Sequence, residues 1–109
     1  MARNYIADIA GGTATVTIQI QARQTFRRFV GSALNAAAGK IELSLSSTSQ
    51  IGTAQPDSNV LARVSLGSAA AGNSSIVWDC PINAPVTAFQ SVYVHCTGAG
   101  NLGTAMLTS

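Results

Sequence analysis

The sequence predicts an all-β protein, an antiparallel β-sandwich or jelly-roll-like barrel of about six to eight strands. Residues 13–23 alternate between apolar and uncharged polar side chains, and shorter runs with the same alternation recur along the chain. Stretches rich in glycine and serine separate these runs. Alternation with a period of two is typical of strands that place one face in a core.

The first strand, at residues 13–23, has one apolar face and one uncharged polar face, because successive side chains point to opposite sides. Natural monomers protect exposed strands with charge, proline or bulges, and this strand carries no charge before Arg23. We therefore expect its polar face to bind another protein. The apolar face comprises Ala14, Val16, Ile18, Ile20 and Ala22, and the polar face comprises Thr13, Thr15, Thr17, Gln19 and Gln21.

Residues 25–38 depart from the strand pattern and predict one short amphipathic helix. Thr25 suits the N-cap and Gly39 the position after the last turn, although Gly31 weakens the helix. The alternative is a strand that continues through Val30 and is followed by a loop. Six apolar residues fall at helical spacing: Phe26, Phe29, Val30, Ala33, Leu34 and Ala37.

The rest of the chain predicts further short strands within one domain, since 109 residues form a single core. Residues 13–109 are assigned to this domain, and residues 1–12 to an N-terminal arm that reaches a neighbouring molecule. Pro81 is expected to end one strand, and Pro85 to form a corner in the segment 83–87. The predicted strands are 41–46, 60–66, 76–80, 89–97 and 104–107.

Composition favours a folded protein with much of its surface against other protein. Charged residues are 9% of the chain, against about a quarter in a typical soluble domain. Interface cores are depleted in charge in the same way. The net charge of +2 does not by itself indicate nucleic acid. Asp8 interrupts the N-terminus and no long apolar run follows, so we expect no signal peptide and no membrane span, and folding in a cytoplasm.

No motif predicts an enzyme, a metal site or a cofactor. The segment 98–103 matches the glycine fingerprint of dinucleotide-binding proteins, but only six residues follow it, so a hairpin turn is the better interpretation. His95 and Cys96 are neighbours on a strand and point to opposite faces, which prevents one from activating the other. His95 is expected at the surface or an interface, next to Tyr93. We predict no catalytic, cofactor-binding or metal-binding residues.

Cysteines and tryptophan leave alternatives open. Cys80 and Cys96 are the only cysteines, and they are expected to be free thiols, with a disulfide between neighbouring strands as the alternative. Trp78 shares a strand face with Ile76 and Cys80, which predicts an anchor in the core or an interface. An exposed sugar-stacking platform is the alternative.

The basic residues concentrate at Arg23, Arg27 and Arg28, together with Lys40 and Arg63. A solvated protein surface, a contact with a protein partner and a contact with nucleic-acid phosphates are all compatible with them. The nearby Phe26 and Phe29 are better explained as core residues than as base-stacking residues. The candidate partner-binding residues are Thr15, Thr17, Gln19, Gln21, Arg23, Arg27 and Arg28.

The C-terminal half, residues 77–87 (VWDCPINAPVT) and 90–98 (QSVYVHCTG), resembles the small β-rich structural proteins of bacteriophage particles. These are the capsid decoration, cement and minor coat proteins. The shared features are an uncharged composition rich in Ala, Ser, Thr and Gly, a proline corner, a strand that ends in a Thr-Gly turn, and a strand at the end of the chain.

The resemblance implies a virion structural protein that assembles as a symmetric homo-oligomer, a trimer or larger, on or in a capsid with other capsid proteins. The alternatives are a carbohydrate-binding or adhesin module of a fibre or spike, and a coat protein that contacts nucleic acid through its arginine patch. No membrane partner is expected.

Overall fold

A computed structural model describes residues 4–9, 14–35, 38–67, 74–98 and 101–109, and within these ranges the chain forms eight strands and no helix. The prediction of an all-β fold is thereby confirmed. The strands are β1 (Asn4–Ile9), β2 (Ala14–Gln19), β3 (Gln24–Asn35), β4 (Gly39–Ser44), β5 (Val60–Gly67), β6 (Ser74–Val86), β7 (Ser91–Cys96) and β8 (Leu102–Thr108).

The strands form two four-stranded antiparallel sheets that pack as a β-sandwich. Sheet A has the order β1-β8-β3-β6, and sheet B has the order β2-β7-β4-β5. Strands from the two ends of the chain pair in turn, β1 with β8, β2 with β7, β3 with β6 and β4 with β5, and these pairs alternate between the sheets. A long antiparallel ribbon wound into a sandwich in this way is a jelly roll.

The core lies between the two sheets and takes alternate residues from each strand. Sheet A contributes Phe26 and Phe29, and sheet B contributes Ile41, Leu43 and Val94, all fully buried. The alternation predicted for the first strand is also present, since β2 and the residues after it bury Ile18 and Ile20. The apolar half of the sequence pattern therefore forms the interior of the sandwich.

The helix predicted for residues 25–38 is wrong, because the chain continues as β3 from Gln24 to Asn35. The pairing of β3 with β6 shifts register between Phe26 and Arg28, so Phe26 and Phe29 both point into the core although they are three residues apart. Val30 and Leu34 lie on the opposite face of the strand. A register shift combined with apolar residues on both faces imitates helical spacing. Ala36 and Ala37, which the helix prediction also included, lie outside the described residues.

The proline positions in β6 correct two further predictions. Pro81 does not end the strand and Pro85 does not form a corner, since β6 runs through both to Val86. β6 is an edge strand of sheet A, so it has a neighbouring strand on one side only. The N–H that a proline lacks on the other side would have faced solvent, and no hydrogen bond between strands is lost there. Prolines on an edge also discourage pairing with another chain.

The N-terminal arm predicted for residues 1–12 is a strand of the protein's own sheet where the structure describes it. Asn4–Ile9 form β1, which pairs with β8 along its whole length. Ala7 and Ile9 are buried in the core. The rest of the expected arm, residues 1–3 and 10–12, lies outside the described residues.

Neither cysteine forms a disulfide, and the two lie in different sheets. Cys80 is on β6 in sheet A and is partly exposed, whereas Cys96 is on β7 in sheet B and is buried. Burial, with a smaller contribution from the negative charge of Asp79, raises the pKa of the Cys80 thiol. The glycine-rich segment 98–103 connects β7 in sheet B to β8 in sheet A, so it is not the turn of a hairpin.

Candidate interaction surfaces

The solvent-facing side of sheet A, called here the sheet A outer face, exposes several apolar side chains. Four large hydrophobic side chains are exposed among the described residues, and three of them are on this face: Ile6 on the edge strand β1, Leu34 on β3 and Val77 on the opposite edge strand β6. Val77 is 79% exposed and Ile6 63%. Apolar side chains grouped on one surface indicate an interaction site. The face consists of Asn4, Ile6 and Asp8 on β1; Thr104, Met106 and Thr108 on β8; Arg28, Val30, Ser32 and Leu34 on β3; and Ser75, Val77, Asp79 and Pro81 on β6.

Strand register places the apolar side chains side by side across the middle of this face. Ile6 lies opposite Met106, and Met106 lies opposite Val30. We call these three residues the apolar row. Val77 lies next to the row, opposite Ser32. A shallow groove of about 620 Å³ follows the row and includes all four apolar residues in its lining.

The charged groups of the sheet A outer face are already paired within the chain. Arg28 binds Asp79 through two hydrogen bonds, one from Nε to Oδ1 at 3.1 Å and one from Nη2 to Oδ2. The hydroxyl of Thr104 donates to Oδ1 of Asp8 at 3.2 Å. The carboxylates of this face therefore already accept hydrogen bonds within the chain. This lowers the free-energy cost of removing them from water when a partner covers the face.

The Arg28–Asp79 pair leads to a prediction about acid stability. The hydrogen bond from Arg28 is the main cause that lowers the pKa of Asp79 below its ordinary value of 3.8. A carboxyl whose pKa is lower in the folded state stabilises the fold at pH values above its unfolded-state pKa. This stabilisation is lost as the pH falls through the folded-state pKa. Both side chains are more than half exposed, so the contribution is small. We expect Asp79→Asn to leave the melting temperature at neutral pH nearly unchanged and to reduce its dependence on pH below about 4; a large loss at neutral pH would contradict this.

The solvent-facing side of sheet B is polar, and its middle is covered by the chain itself. On β2 the predicted residues Thr15, Thr17 and Gln19 are exposed, as expected. The next strands of the sheet are different, because residues 45–59, called here the covering loop, fold back over β7 and β4. Glu42 is completely buried beneath this loop. A partner on this side can therefore reach β2 but not the centre of the sheet.

Hydrogen bonds to Glu42 and Arg63 hold the covering loop in place. Oε1 of Glu42 accepts from the backbone N–H of Gln50 at 3.0 Å, and Oε2 accepts from Nε of Arg63 at 3.3 Å. Arg63 also donates to the carbonyl of Thr53 at 2.8 Å and to the carbonyl of Gln50. Glu42 and Arg63 lie opposite each other on β4 and β5, so the sheet itself positions both side chains.

His95 is a buried part of this structure and not the surface histidine that the sequence predicts. Only 2% of it is exposed. Its Nε2 lies 2.9 Å from the carbonyl oxygen of Ser46 in the covering loop, and its Nδ1 lies 3.0 Å from the hydroxyl of Thr15. A carbonyl oxygen can only accept, so Nε2 carries hydrogen, and a neutral ring then accepts the Thr15 hydrogen at Nδ1. Tyr93 lies next to His95, as predicted, and its ring stacks on the imidazole with centroids 6.0 Å apart.

The three candidate arginines do not form one site. Arg23 lies in the connection before β3, and Arg27 donates to the side-chain oxygen of Asn83 at 3.3 Å. Arg28 is paired with Asp79. Both Arg27 and Arg28 are exposed at the register shift in β3, yet each contacts a different polar partner on β6. The arrangement is that of a solvated sheet surface more than of a convergent phosphate site.

The last candidate residue on the polar face, Gln21, lies just beyond β2. Its backbone N–H donates to the hydroxyl of Tyr5 at 2.9 Å, which ties the end of β2 to β1 in the opposite sheet. Its side-chain amide donates to the carbonyl of Gln19 at 3.4 Å. Gln21 is exposed, and its contacts stabilise the corner between the two sheets.

Strand β2 is an edge of sheet B and has none of the features that prevent edge pairing. It contains no charge and no proline, and its register on β7 is unbroken. The other three edges are better protected: β1 carries Asp8, β5 carries Arg63, and β6 carries two prolines and Asp79. The β2 edge is therefore a second candidate surface for contact with another chain.

Trp78 is an anchor of the core and is not exposed for stacking on a sugar. It is 7% exposed and packs against Phe29, with ring centroids 5.8 Å apart. Its indole lies over Gly31, the residue directly opposite on β3. The indole Nε1 is buried without a hydrogen-bond partner.

Sequence reasoning identified the β2 surface but missed the sheet A outer face. The sequence does contain a sign of this face, namely an apolar residue directly next to another apolar residue in a strand. Ile6 precedes the buried Ala7, and Val77 precedes the buried Trp78, so each pair places one apolar side chain on the solvent side. In a strand with one solvent face these positions are normally polar.

No group of three or more potential metal ligands occurs in the part of the chain that the structure describes. That part also holds no helix with the length and hydropathy to cross a membrane. The fold defines the chain as a jelly-roll β-sandwich with an apolar outer face. Comparisons with protein-family models, with curated proteins and with solved structures found no match.

Proposed function

We propose that this chain is a bacteriophage virion structural protein that assembles as a symmetric oligomer on or in the capsid, in a decoration, cement or minor coat role. Its activity is binding between subunits and not catalysis. The observation that carries the proposal is the apolar sheet A outer face on a jelly roll, a fold that capsid subunits use among other proteins. The fold alone supports this role by analogy, and the surface supports it physically.

Two different contact surfaces support assembly into an oligomer larger than a dimer. A single self-complementary surface joins only two subunits, whereas larger closed assemblies need a heterologous contact or a second self-complementary one. The sheet A outer face has exposed apolar side chains that a contact would bury, and the β2 edge has backbone groups that a strand of another chain could bind. Each contact is modest by itself, and symmetry repeats it, so the assembly is held by many weak contacts acting together.

The two other functions considered from the sequence lack a comparable surface. The sugar-stacking function was predicted for Trp78, which is in the core, and the exposed aromatic side chain Phe89 is a different residue on the loop between β6 and β7. The nucleic-acid function required a convergent arginine patch, and Arg28 is already paired with Asp79. Fluorescence titration of Trp78 with glycans and salt-dependent retention on immobilised RNA or DNA test these functions directly.

The first test of the proposal is the mass of the purified protein in solution. We expect light scattering during size exclusion at micromolar concentration to give a trimer or larger, and electron micrographs of the same sample to show discrete particles. The symmetry of the particles separates a decoration role from a coat role. A monodisperse monomer under these conditions contradicts the proposal.

The β2 edge provides a more local test. We expect Thr17→Lys to lower the mass of the oligomer without lowering the melting temperature, because Thr17 is exposed and a lysine on an edge strand opposes pairing with another chain. The matched control is Thr48→Lys, which adds the same charge in the exposed covering loop. Equal masses for the wild type and the Thr17 variant would exclude the β2 edge as a contact.

A further inference from the structure

We propose that strand β2 pairs antiparallel with β2 of a second copy of this chain, across a two-fold axis that passes between the two Thr17 residues. Sheet B of one copy then continues into sheet B of the other, and the two β2 strands lie at the centre of the joined sheet. The inference rests on the proposed function, and it assigns the partner of the β2 edge and the register of the contact.

The hydrogen bonds between β2 and β7 determine which backbone groups of β2 are left at the open edge. The N–H of Ile20 donates to the carbonyl of Gln90 at 3.0 Å, and this pair continues the register of β2 on β7. In an antiparallel ladder, residues bonded to the neighbouring strand alternate with residues whose N–H and C=O point the other way. The outward-pointing groups of β2 are therefore those of Thr15, Thr17 and Gln19.

The open part of this edge is centred on Thr17. At its C-terminal end, the next outward N–H, that of Gln21, already donates to the hydroxyl of Tyr5 at 2.9 Å. The carbonyl of Gln19 accepts from the Gln21 side-chain amide at 3.4 Å, a long hydrogen bond that a partner strand would replace. No described strand pairs with this side of β2. The available groups are thus arranged symmetrically about Thr17, as a two-fold contact requires.

Pairing centred on Thr17 satisfies all of these groups together. Thr17 exchanges two hydrogen bonds with Thr17 of the second copy, and on either side of the axis Thr15 exchanges two with Gln19. Neighbouring registers match less well. One centred on Val16 leaves Gln19 beyond the end of the second β2, and one centred on Ile18 places Thr15 opposite Gln21.

The side chains on both faces of the joined strands are compatible with this register. On the solvent side Thr17 faces Thr17 and Thr15 faces Gln19, which are cross-strand pairs of uncharged side chains. On the core side, the half-buried Val16 lies opposite Ile18 of the second copy. The contact therefore removes further apolar surface of Val16 from water.

The two charged residues that flank β2 in the sequence, Asp8 and Arg23, do not oppose the pairing. Asp8, on the neighbouring edge strand β1, faces the outer side of sheet A, where the hydroxyl of Thr104 donates to it. Arg23 lies beyond the end of β2. The two-fold axis reverses the second strand, so the two copies of Arg23 lie at opposite ends of the ladder.

The same edge of a second copy is a better partner for β2 than the other three edges of the chain. Those edges carry a charge or prolines, which oppose strand pairing, whereas β2 carries neither. Strand addition takes its affinity from main-chain hydrogen bonds more than from a large buried area. A narrow contact of this kind suits a subunit in which symmetry repeats each contact.

The register is tested with Thr17→Cys, in a Cys80→Ser background that removes the partly exposed native thiol. The two Thr17 Cα atoms are expected about 5.5 Å apart, within the range of disulfides. The matched control is Gln19→Cys on the same face, whose two copies are expected about 14 Å apart. We expect mild oxidation to link Thr17→Cys into covalent dimers and to leave Gln19→Cys unlinked.

The role of the backbone is tested with Thr17→Pro. The N–H of Thr17 points to the open edge, so proline removes a donor to the second copy and no bond to β7. The matched control is Thr17→Val, which keeps the N–H and the branched shape. We expect the number of copies per particle to fall at least by half in Thr17→Pro and to stay unchanged in Thr17→Val. Equal melting temperatures verify that the fold is intact, and Thr17→Lys gives the same reading if the proline variant does not fold.

The outcomes separate this inference from the proposed function. Covalent dimers from Thr17→Cys and not from Gln19→Cys, with loss of the particle in Thr17→Pro or Thr17→Lys, support both. A wild-type oligomer without covalent dimers from Thr17→Cys overturns the pairing and leaves an assembly role standing. Covalent dimers from Gln19→Cys overturn the register, and a wild-type monomer overturns the proposed function as well.

Discussion

Replacing Glu42 with alanine is expected to destabilise the protein by about 3 kcal/mol, because it leaves Arg63 and the covering loop without their shared partner. The carboxylate is fully buried, and it accepts from both Arg63 and the backbone of Gln50. The side chain of Arg63 is 25% exposed, so the expected loss of unfolding free energy is at the low end of the range for broken buried ion pairs. For a domain of this size we expect a fall in melting temperature of roughly 15 °C, measured by circular dichroism.

Glu42→Gln is the matched control. The amide oxygen can still accept from Gln50 or Arg63, so this variant separates the loss of the hydrogen-bonded group from the loss of its charge. We expect it to be intermediate between the wild type and Glu42→Ala. Limited proteolysis gives a second reading, since both variants should expose residues 45–59 to cleavage. An alanine variant that melts with the wild type and resists proteolysis would show that Glu42 does not hold the loop.

Replacing Gly31 with alanine is expected to cost about 3 kcal/mol, at the upper end for overpacked sites. An added Cβ would overlap the ring of Trp78 and lie 2.6 Å from the carbonyl oxygen of Thr104, which belongs to the neighbouring strand β8. The ring can move only by disturbing Phe29, and the carbonyl can move only with its strand. Both changes affect the centre of sheet A.

The fluorescence of Trp78, the only tryptophan, reports this substitution directly. We expect Gly31→Ala to shift the emission to longer wavelength as the indole leaves its buried position, with a parallel loss of unfolding free energy in urea. Ser32→Ala, the exposed neighbour on the same strand, should change neither quantity. Unchanged emission and stability in Gly31→Ala would show that β3 can accept a side chain here.

The alternation in residues 13–23 correctly predicts a strand that buries Ile18 and Ile20, because the pairing of β2 with β7 is uninterrupted, but the strand ends at Gln19 and residues 20–23 form the connection to β3. The prediction fails at Phe26 and Phe29, where a shift in pairing with β6 breaks the period. Such a shift depends on a strand some fifty residues away, and a local pattern does not contain it. The passage of β6 through Pro81 likewise depends on its position at the edge of a sheet.

The candidate surfaces were predictable only in part. Exposure of Thr15, Thr17 and Gln19 follows from local alternation, but burial of Glu42 and His95 requires knowledge of where the covering loop folds. That loop is polar in sequence, and nothing in its composition distinguishes a loop that covers a sheet from one that extends into water.

The position of β8 determines when this protein can first fold during its synthesis. β8, at residues 102–108, is inserted between β1 and β3, and it supplies Met106 to the apolar row. Until these residues have left the ribosome, β1 has no neighbour in its sheet and the row is incomplete. A nascent chain therefore cannot present the complete sheet A outer face until β8 has emerged, and no contact through this face can form earlier. Such long-range pairing also makes folding slow relative to that of helical proteins of similar length.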